Sequence, residues 1–103
     1  MIIHTDIWDR GKDFHGYKVL ENGRAFKFMK GEVYWREIMP IFYKRGKCFR
    51  FNMTISGERK TFRRSRLVAD LFIPKPEGKV RVKHINGNTY DDHVNNLMWV
   101  KGW

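Results

Sequence analysis

Two stretches near the end of the chain decide its fold: residues 80–88, VRVKHINGN, and residues 95–100, NNLMWV. The first has the pattern of a strand that ends in a loop, because Gly and Asn accept backbone angles that most residues avoid. A short acidic segment follows and leads into the second strand. We therefore predict two strands joined by a loop, with His84 at the end of the first strand and Asn96 at the start of the second.

Residues upstream of these stretches have the patterns of antiparallel strands. The pair Asn22-Gly23 lies in the middle of residues 17–28 and predicts a β-hairpin, because it favours the positive backbone angles of a tight turn. A further strand is predicted over residues 33–38. Residues 48–53 alternate apolar and polar side chains, as a half-buried strand does.

One helix is predicted over residues 66–72, where the apolar side chains fall on one face. Ser65 is expected to cap the start of this helix. A chain of 103 residues has room for one small domain. We therefore predict a single α+β domain over residues 1–103, with a small antiparallel sheet, one main helix and a C-terminal hairpin. Its β-rich part covers residues 1–64, and the helix and hairpin cover residues 65–103.

The formal net charge of +10 is the strongest signal in the composition. Residues 44–66 contain nine basic residues and one acid, Glu58, which gives this segment a net charge of +8. The basic residues are Lys44, Arg45, Lys47, Arg50, Arg59, Lys60, Arg63, Arg64 and Arg66. Such a density favours a polyanionic partner, most simply double-stranded DNA, although ribosomal and membrane-surface proteins have the same charge balance.

The basic residues are expected to form a surface. Arg50 and either Lys60 or Arg63 would share one face of two neighbouring strands. A face of that kind can follow the phosphates of a duplex or enter a groove as a β-ribbon. The basic segment therefore predicts the DNA-binding residues of the chain.

Other classes of protein are not indicated. The sequence has no run of about 18 apolar residues, so we expect no transmembrane helix and no membrane partner. Its N-terminus lacks the pattern of a signal peptide. Cys48 is the only cysteine, and no Cys/His cluster has the spacing of a structural zinc site. We therefore expect a cytoplasmic protein.

The motifs together resemble those of HNH endonucleases of the phage and homing type, which have a ββα-metal core. The family string is close to VNHIDGN and, after a gap, NLEWV; this chain has VKHINGN and NLMWV. Residues 16–24 are similar to the GYEVSNxGRV opening of a small DNA-binding module that precedes many such cores. Residues 65–74 are similar to the family's HRLVAEAFIP helix, with Ser65 in place of the histidine.

The resemblance implies roles for two residues and a cofactor. His84 would be the general base that activates water for attack on a phosphodiester, since the pKa of a free histidine lies near neutrality. Asn96 would stabilise the loop, because its amide both donates and accepts hydrogen bonds. A single Mg²⁺ would stabilise the leaving oxyanion. A phage-infected bacterial cell is the location that the resemblance implies.

Two departures from the family pattern concern the metal. Lys83 stands where the family has Asn or Asp, and a cation repels Mg²⁺ but suits a phosphate. Only residues 101–103 follow the second strand, so we expect the final helix, which carries another ligand, to be missing. The remaining candidate ligands are Asp91, Asp92 and His93. We therefore expect no cofactor, or Mg²⁺ if the chain is active.

Three hypotheses of function follow. The first is a double-stranded DNA-binding protein, derived from an HNH endonuclease, without metal-dependent cleavage. The second is an active Mg²⁺-dependent nicking endonuclease, which requires metal-dependent cleavage. The third is a protein-interaction factor of phage type, suggested by the aromatic residues Trp99 and Trp103 at the end of the chain; it predicts a protein complex that survives salt.

Overall fold

The structure, a computed structural model that describes residues 5–102, is built from short antiparallel strands and few helices. In chain order the elements are α1 (Thr5–Asp9), β1 (Lys12–Phe14), β2 (Tyr17–Val19), β3 (Ala25–Met29), β4 (Tyr34–Ile38), β5 (Ile41–Tyr43), β6 (Cys48–Ile55), β7 (Glu58–Arg63), α2 (Arg64–Phe72), β8 (Arg81–His84), a 3₁₀ turn (Val94–Asn96) and β9 (Leu97–Val100). This composition confirms the predicted α+β class.

The strands form three sheets rather than the small single sheet and hairpin that the sequence predicts. A four-stranded sheet has the order β1-β2-β3-β4, a three-stranded sheet has the order β5-β6-β7, and β8 pairs with β9. The first two sheets separate between Ile38 and Ile41. Pro40 lies in this gap, and it has no backbone N–H to continue a strand ladder.

The predicted hairpin around Asn22 and Gly23 is confirmed. β2 and β3 pair antiparallel with Val19 opposite Ala25, and Gly23 has a φ of 90°, which glycine adopts without a steric penalty. Both Val19 and Ala25 are fully buried. The turn therefore places two core residues side by side and presents Gly23 to the rest of the protein.

Helix α2 begins at Arg64, two residues earlier than predicted. Its N-cap residue is Arg63, and no side chain caps it. Ser65 lies inside the first turn, so the prediction that it caps the helix is wrong. The helix ends at Phe72, before Pro74. No helix within residues 5–102 is long and apolar enough to cross a membrane.

The core is shared between the β-rich part and the helix. Its buried cluster consists of Tyr17, Val19, Ala25, Phe51, Met53, Ile55, Leu67, Val68 and Leu97. Tyr17 also joins the first two sheets, because its hydroxyl accepts a hydrogen bond of 2.8 Å from the backbone N–H of Thr54. Residues on both sides of position 64 therefore bury their apolar surface against one another.

The first sheet carries a partly buried ion pair between Arg24 and Glu37. The guanidinium donates from Nε at 2.7 Å and from Nη2 at 2.5 Å to the two carboxylate oxygens. These hydrogen bonds lower the pKa of Glu37, and burial opposes them only in part. Two parallel hydrogen bonds of this kind hold both side chains in one geometry.

The lowered pKa of Glu37 predicts a loss of stability in acid. Unfolded glutamate takes up a proton near about pH 4.3, and folded Glu37 does so only at lower pH. The pair therefore contributes its full stability above this range, and the contribution is lost as the pH falls through the folded pKa. We expect the free energy of unfolding of Glu37→Gln to fall less than that of the parent protein as the pH is lowered from neutral to about 3. Denaturant titrations at several pH values measure this difference. The same fall in stability for the variant and the parent protein would contradict this role of Glu37.

Candidate functional site

His84 lies where the C-terminal hairpin opens into its loop. β8 and β9 pair with His84 opposite Leu97 and Lys83 opposite Met98. Side chains of neighbouring residues in a strand point to opposite faces. His84 therefore faces inwards with Leu97, and 13% of its side chain is exposed, whereas Lys83 faces outwards and is exposed.

Asn96 crosses the loop with three side-chain hydrogen bonds. Its Nδ2 donates to Asn86 Oδ1 at 3.0 Å and to the carbonyl of Asp91 at 2.9 Å. Its Oδ1 accepts from the backbone N–H of Asn86 at 3.0 Å. Because Asn96 is buried, these bonds satisfy polar atoms that would otherwise be costly to remove from water. Asn96 thus holds both ends of the loop against the start of β9.

Asp92 is the centre of a buried polar chain that begins at Arg64 and ends at His84. Its Oδ2 accepts from Arg64 Nε at 2.7 Å, and its Oδ1 lies 2.6 Å from His84 Nε2. Only 2% of the Asp92 side chain is exposed. A carboxylate at that depth is stable only with partners that compensate its charge. We refer to Arg64, Asp92 and His84 as the buried triad.

The triad orients the imidazole of His84. A neutral imidazole has one N–H and one lone pair, and a carboxylate beside Nε2 favours the form with the proton on Nε2. The lone pair then lies on Nδ1, the nitrogen that can accept a proton from water. The arrangement is chemically that of an oriented general base.

The loop also packs on the first two sheets. Tyr90 stacks on Phe42 with ring centroids 5.1 Å apart, and Arg64 lies over the ring of Phe49 at 4.2 Å. The backbone N–H of Val94 donates to the carbonyl of Glu21 at 2.8 Å, beside the turn of the first hairpin. These contacts fix the loop, and with it Asp92, relative to the strands.

The three candidate metal ligands do not converge. Asp92 is held by Arg64 and His84. Asp91 Oδ1 accepts a hydrogen bond of 3.2 Å from the backbone N–H of His93. His93 Nδ1 accepts a hydrogen bond of 3.1 Å from the backbone N–H of Asn95. Within residues 5–102 no group of three or more His, Cys, Asp or Glu side chains could hold a metal ion. The described donor set therefore does not fit the Mg²⁺ site that the family resemblance implies.

The basic residues of the second sheet are divided between its two faces. Arg50 is opposite Arg63 in the ladder of β6 and β7, and Thr54 is opposite Arg59, so the three arginines share the outer face. Lys60 is opposite the buried Met53 and lies on the other face. Of the two alternatives in the sequence prediction, Arg63 rather than Lys60 therefore shares the face of Arg50.

Arg50 is the most constrained residue of this outer face. Its guanidinium lies over the ring of Tyr43 at 4.4 Å. Its Nε is buried and has no hydrogen-bond partner within the described part of the chain. Stacking holds the guanidinium in place. Because Nε is buried, an external acceptor would bind the terminal Nη groups.

The remaining predicted residues lie at the end of the same sheet or inside the protein. Lys44, Arg45 and Lys47 are exposed in the turn between β5 and β6. Trp99 is buried and donates from Nε1 to the carbonyl of Ile73 at 3.0 Å, and Trp103 lies outside the described residues. Because it is buried, Trp99 is not available to the protein-binding aromatic end that the sequence suggested.

Sequence reasoning missed the partnership of Arg64 and Asp92. It assigned Arg64 to DNA and Asp92 to a metal, whereas the structure joins their side chains across 28 positions. No local pattern could have revealed this pair, because it depends on how the loop folds back on α2.

The comparisons with known proteins concern the fold of the chain. No family model and no curated protein matches the chain. A solved structure described as "DNA binding and cleavage by the HNH homing endonuclease I-HmuI" is similar, with a TM-score of 0.74 and 30% sequence identity. The match covers 89% of this chain and 52% of that chain, so this chain spans about half the length of the solved one. The fold of the chain is HNH-like.

The buried triad predicts a large difference between two Asp→Asn variants. Asp92→Asn leaves Arg64 without its counter-ion in the interior, which should destabilise the fold by about 3–5 kcal/mol. Asp70→Asn, the matched control, breaks an exposed pair with Arg66 whose side chains are 45% and 48% exposed, and should cost about 0.5 kcal/mol or less. Urea titrations measure both; equal losses would contradict a structural role for the triad.

Proposed function

We propose that the chain binds double-stranded DNA through the outer face of its second sheet and does not cleave it with a metal ion. The observation that carries this proposal is the alignment of Arg50, Arg59 and Arg63 on one exposed face. The similar solved structure, which is described as binding and cleaving DNA, supports the same partner. A location in the cytoplasm of a phage-infected bacterial cell is part of the proposal.

The dimensions of the outer face suit a groove of DNA. Strands lie about 4.8 Å apart, so the three strands β5, β6 and β7 extend about 10 Å from the first to the last. The major groove of a duplex is about 12 Å wide. The exposed turn with Lys44, Arg45 and Lys47 continues the positive charge past the end of the face and can reach the backbone phosphates.

The positive surface also continues towards the C-terminal hairpin. Arg63 and Arg81 line one cavity between the second sheet and β8. Arg81 and Lys83 occupy alternate positions of β8 and are both exposed. A duplex on the outer face would therefore meet further cations at the hairpin, in the position where Lys83 departs from the family pattern.

Three observations support binding without metal-dependent cleavage. Lys83 is a cation beside His84 in the chain, Asp92 is occupied by Arg64, and most of the His84 side chain is buried. A general base without a cation leaves the charge of the reacting phosphate unstabilised, and this electrostatic contribution is usually the largest in such catalysis.

The proposal predicts a steep dependence of DNA affinity on salt. If about five phosphates are neutralised, the slope of log K against log salt is about −4.5. Replacing Arg50, Arg59 and Arg63 together with Gln should weaken binding and reduce the slope by about 2 to 3 units. Fluorescence anisotropy with a duplex at several salt concentrations measures both quantities.

The matched control removes the same formal charge elsewhere. Lys12, Lys30 and Arg36 are exposed on or beside the first sheet, and their joint replacement with Gln should change the slope much less. A slope near zero in the parent protein would end the DNA-binding proposal. Equal effects of the two triple variants would show that net charge, not the outer face, determines affinity.

An active nicking endonuclease is the second candidate. The oriented imidazole of His84 favours it, as does the cleavage named in the description of the similar structure. This chain would then need oxygen ligands for Mg²⁺ beyond those grouped among the described residues. A partner molecule can supply such ligands.

A plasmid assay separates the two candidates. We expect no nicking of supercoiled plasmid by the isolated chain in Mg²⁺ or Mn²⁺, because the described residues offer no grouped metal ligands. The matched variant is His84→Ala. Nicking by the parent that is lost in His84→Ala would show that His84 is the base and that the chain is an enzyme.

A further inference from the structure

A cavity of about 250 Å³ lies where β7 passes into α2, opposite β8. Its lining consists of Arg63, Ser65, Arg66, Val80, Arg81 and Val82. Three of these residues are permanently charged, and no acidic residue lines the cavity. We call this feature the arginine cavity. Its charge makes an anion the only ligand class that it can favour.

Two of the arginines are held in place by neutral backbone groups. Arg66 Nη1 donates to the carbonyl of Val80 at 3.1 Å, and Arg81 Nη1 donates to that of Gly102 at 3.2 Å. Arg66 also lies over the ring of Trp99 at 5.0 Å. Carbonyls and an aromatic face orient a guanidinium without cancelling its charge, and each guanidinium has five N–H donors. Among residues 5–102, Asp70 is the one carboxylate that pairs with these arginines, at 3.3 Å from Arg66 Nε.

Ser65 provides an independent indication of a ligand. It is 3% exposed, yet it lines the arginine cavity. Within residues 5–102 no hydrogen bond of its hydroxyl is found, and the hydroxyl oxygen is not among the fully buried polar atoms that lack a partner. The hydroxyl is therefore open to the cavity, where it can bind a polar group.

The first turn of α2 adds backbone donors. The first N–H groups of a helix have no partners within the helix, and no side chain caps α2. Arg63, Ser65 and Arg66 occupy the N-cap and the first turn of this nine-residue helix and line the cavity. The positive end of the helix dipole therefore reinforces the attraction of an anion.

We propose that the arginine cavity binds one phosphate group, held by Arg63, Arg66, Arg81 and the hydroxyl of Ser65. The source of this phosphate rests on the proposed function: it belongs to the backbone of bound DNA. The cavity lies between the outer face of the second sheet and the C-terminal hairpin. A phosphate bound there fixes how the duplex lies relative to both, which a charged surface alone does not do.

The probe for this site is inorganic phosphate, added to ¹⁵N-labelled protein at constant ionic strength with chloride as the reference anion. We expect saturable shifts of the amide signals of Arg64, Ser65 and Arg66. Arg63→Gln should weaken the binding of phosphate by about tenfold, since it removes a charge-assisted hydrogen bond. Ser65→Ala should weaken it several-fold without altering the charge.

Arg59→Gln is the matched control, because Arg59 and Arg63 lie on the same strand and the same face but only Arg63 lines the cavity. It should leave the phosphate affinity unchanged. Linear shifts without saturation, or equal losses for Arg59→Gln and Arg63→Gln, would overturn the proposal. Unfolding midpoints near that of the parent establish that each variant is folded.

A titration with duplex DNA at low salt identifies the source of the phosphate. The proposal requires that DNA shifts the same amides and that inorganic phosphate competes with it. If DNA binds without affecting these amides, the cavity proposal fails and DNA binding stands. If phosphate saturates the site while DNA does not bind, the DNA-binding proposal fails and free phosphate is the ligand.

Discussion

The carboxylate of Asp92 is the constraint on which the C-terminal half of the structure depends. It is almost fully buried and contacts both Arg64 and His84. A buried charge of this kind is costly to leave unpaired: Arg64 compensates the charge, and the hydrogen bond to His84 satisfies the other oxygen. The loop, the start of α2 and the end of β8 are therefore held in one arrangement.

This arrangement determines where the positive surface lies. Arg64 directly follows Arg63, the last residue of β7. Its contact with Asp92 therefore places the start of α2, and the outer face beside it, next to the hairpin. The arginine cavity lies at this junction. A duplex bound to the second sheet as proposed would thus meet the hairpin in a fixed orientation, with Lys83, rather than the Asn or Asp of the family pattern, towards its backbone.

The parts of the fold that were predictable from the sequence depend on local rules. The Asn22-Gly23 turn and the alternation before Met53 are signals within a few residues, and both correspond to observed strands. Pro40 ends the predicted strand over residues 33–38, but the sequence does not indicate that the strands after it form a separate sheet. Ser65 was assigned a capping role from its residue type alone, whereas the structure buries it at the second position of the helix.

The site could be predicted only in part, for a physical reason. His84 and Asn96 belong to the two stretches that resemble the HNH motif, so the resemblance indicated them together. The pairing of Arg64 with Asp92 depends on the tertiary path of the loop, which residue types do not encode locally. The faces of Arg63 and Lys60 likewise depend on the register of β6 and β7, and a shift by one residue would exchange them.

Mapping of the amide signals during titration with a DNA duplex tests the central claim most directly. The account predicts that, at low salt, shifts concentrate on β6, β7 and the outer positions of β8. The amide signals of α1 and of β4, an edge strand of the first sheet, should stay unchanged. Shifts confined to α1 and the first sheet, or no shifts under these conditions, would contradict the account.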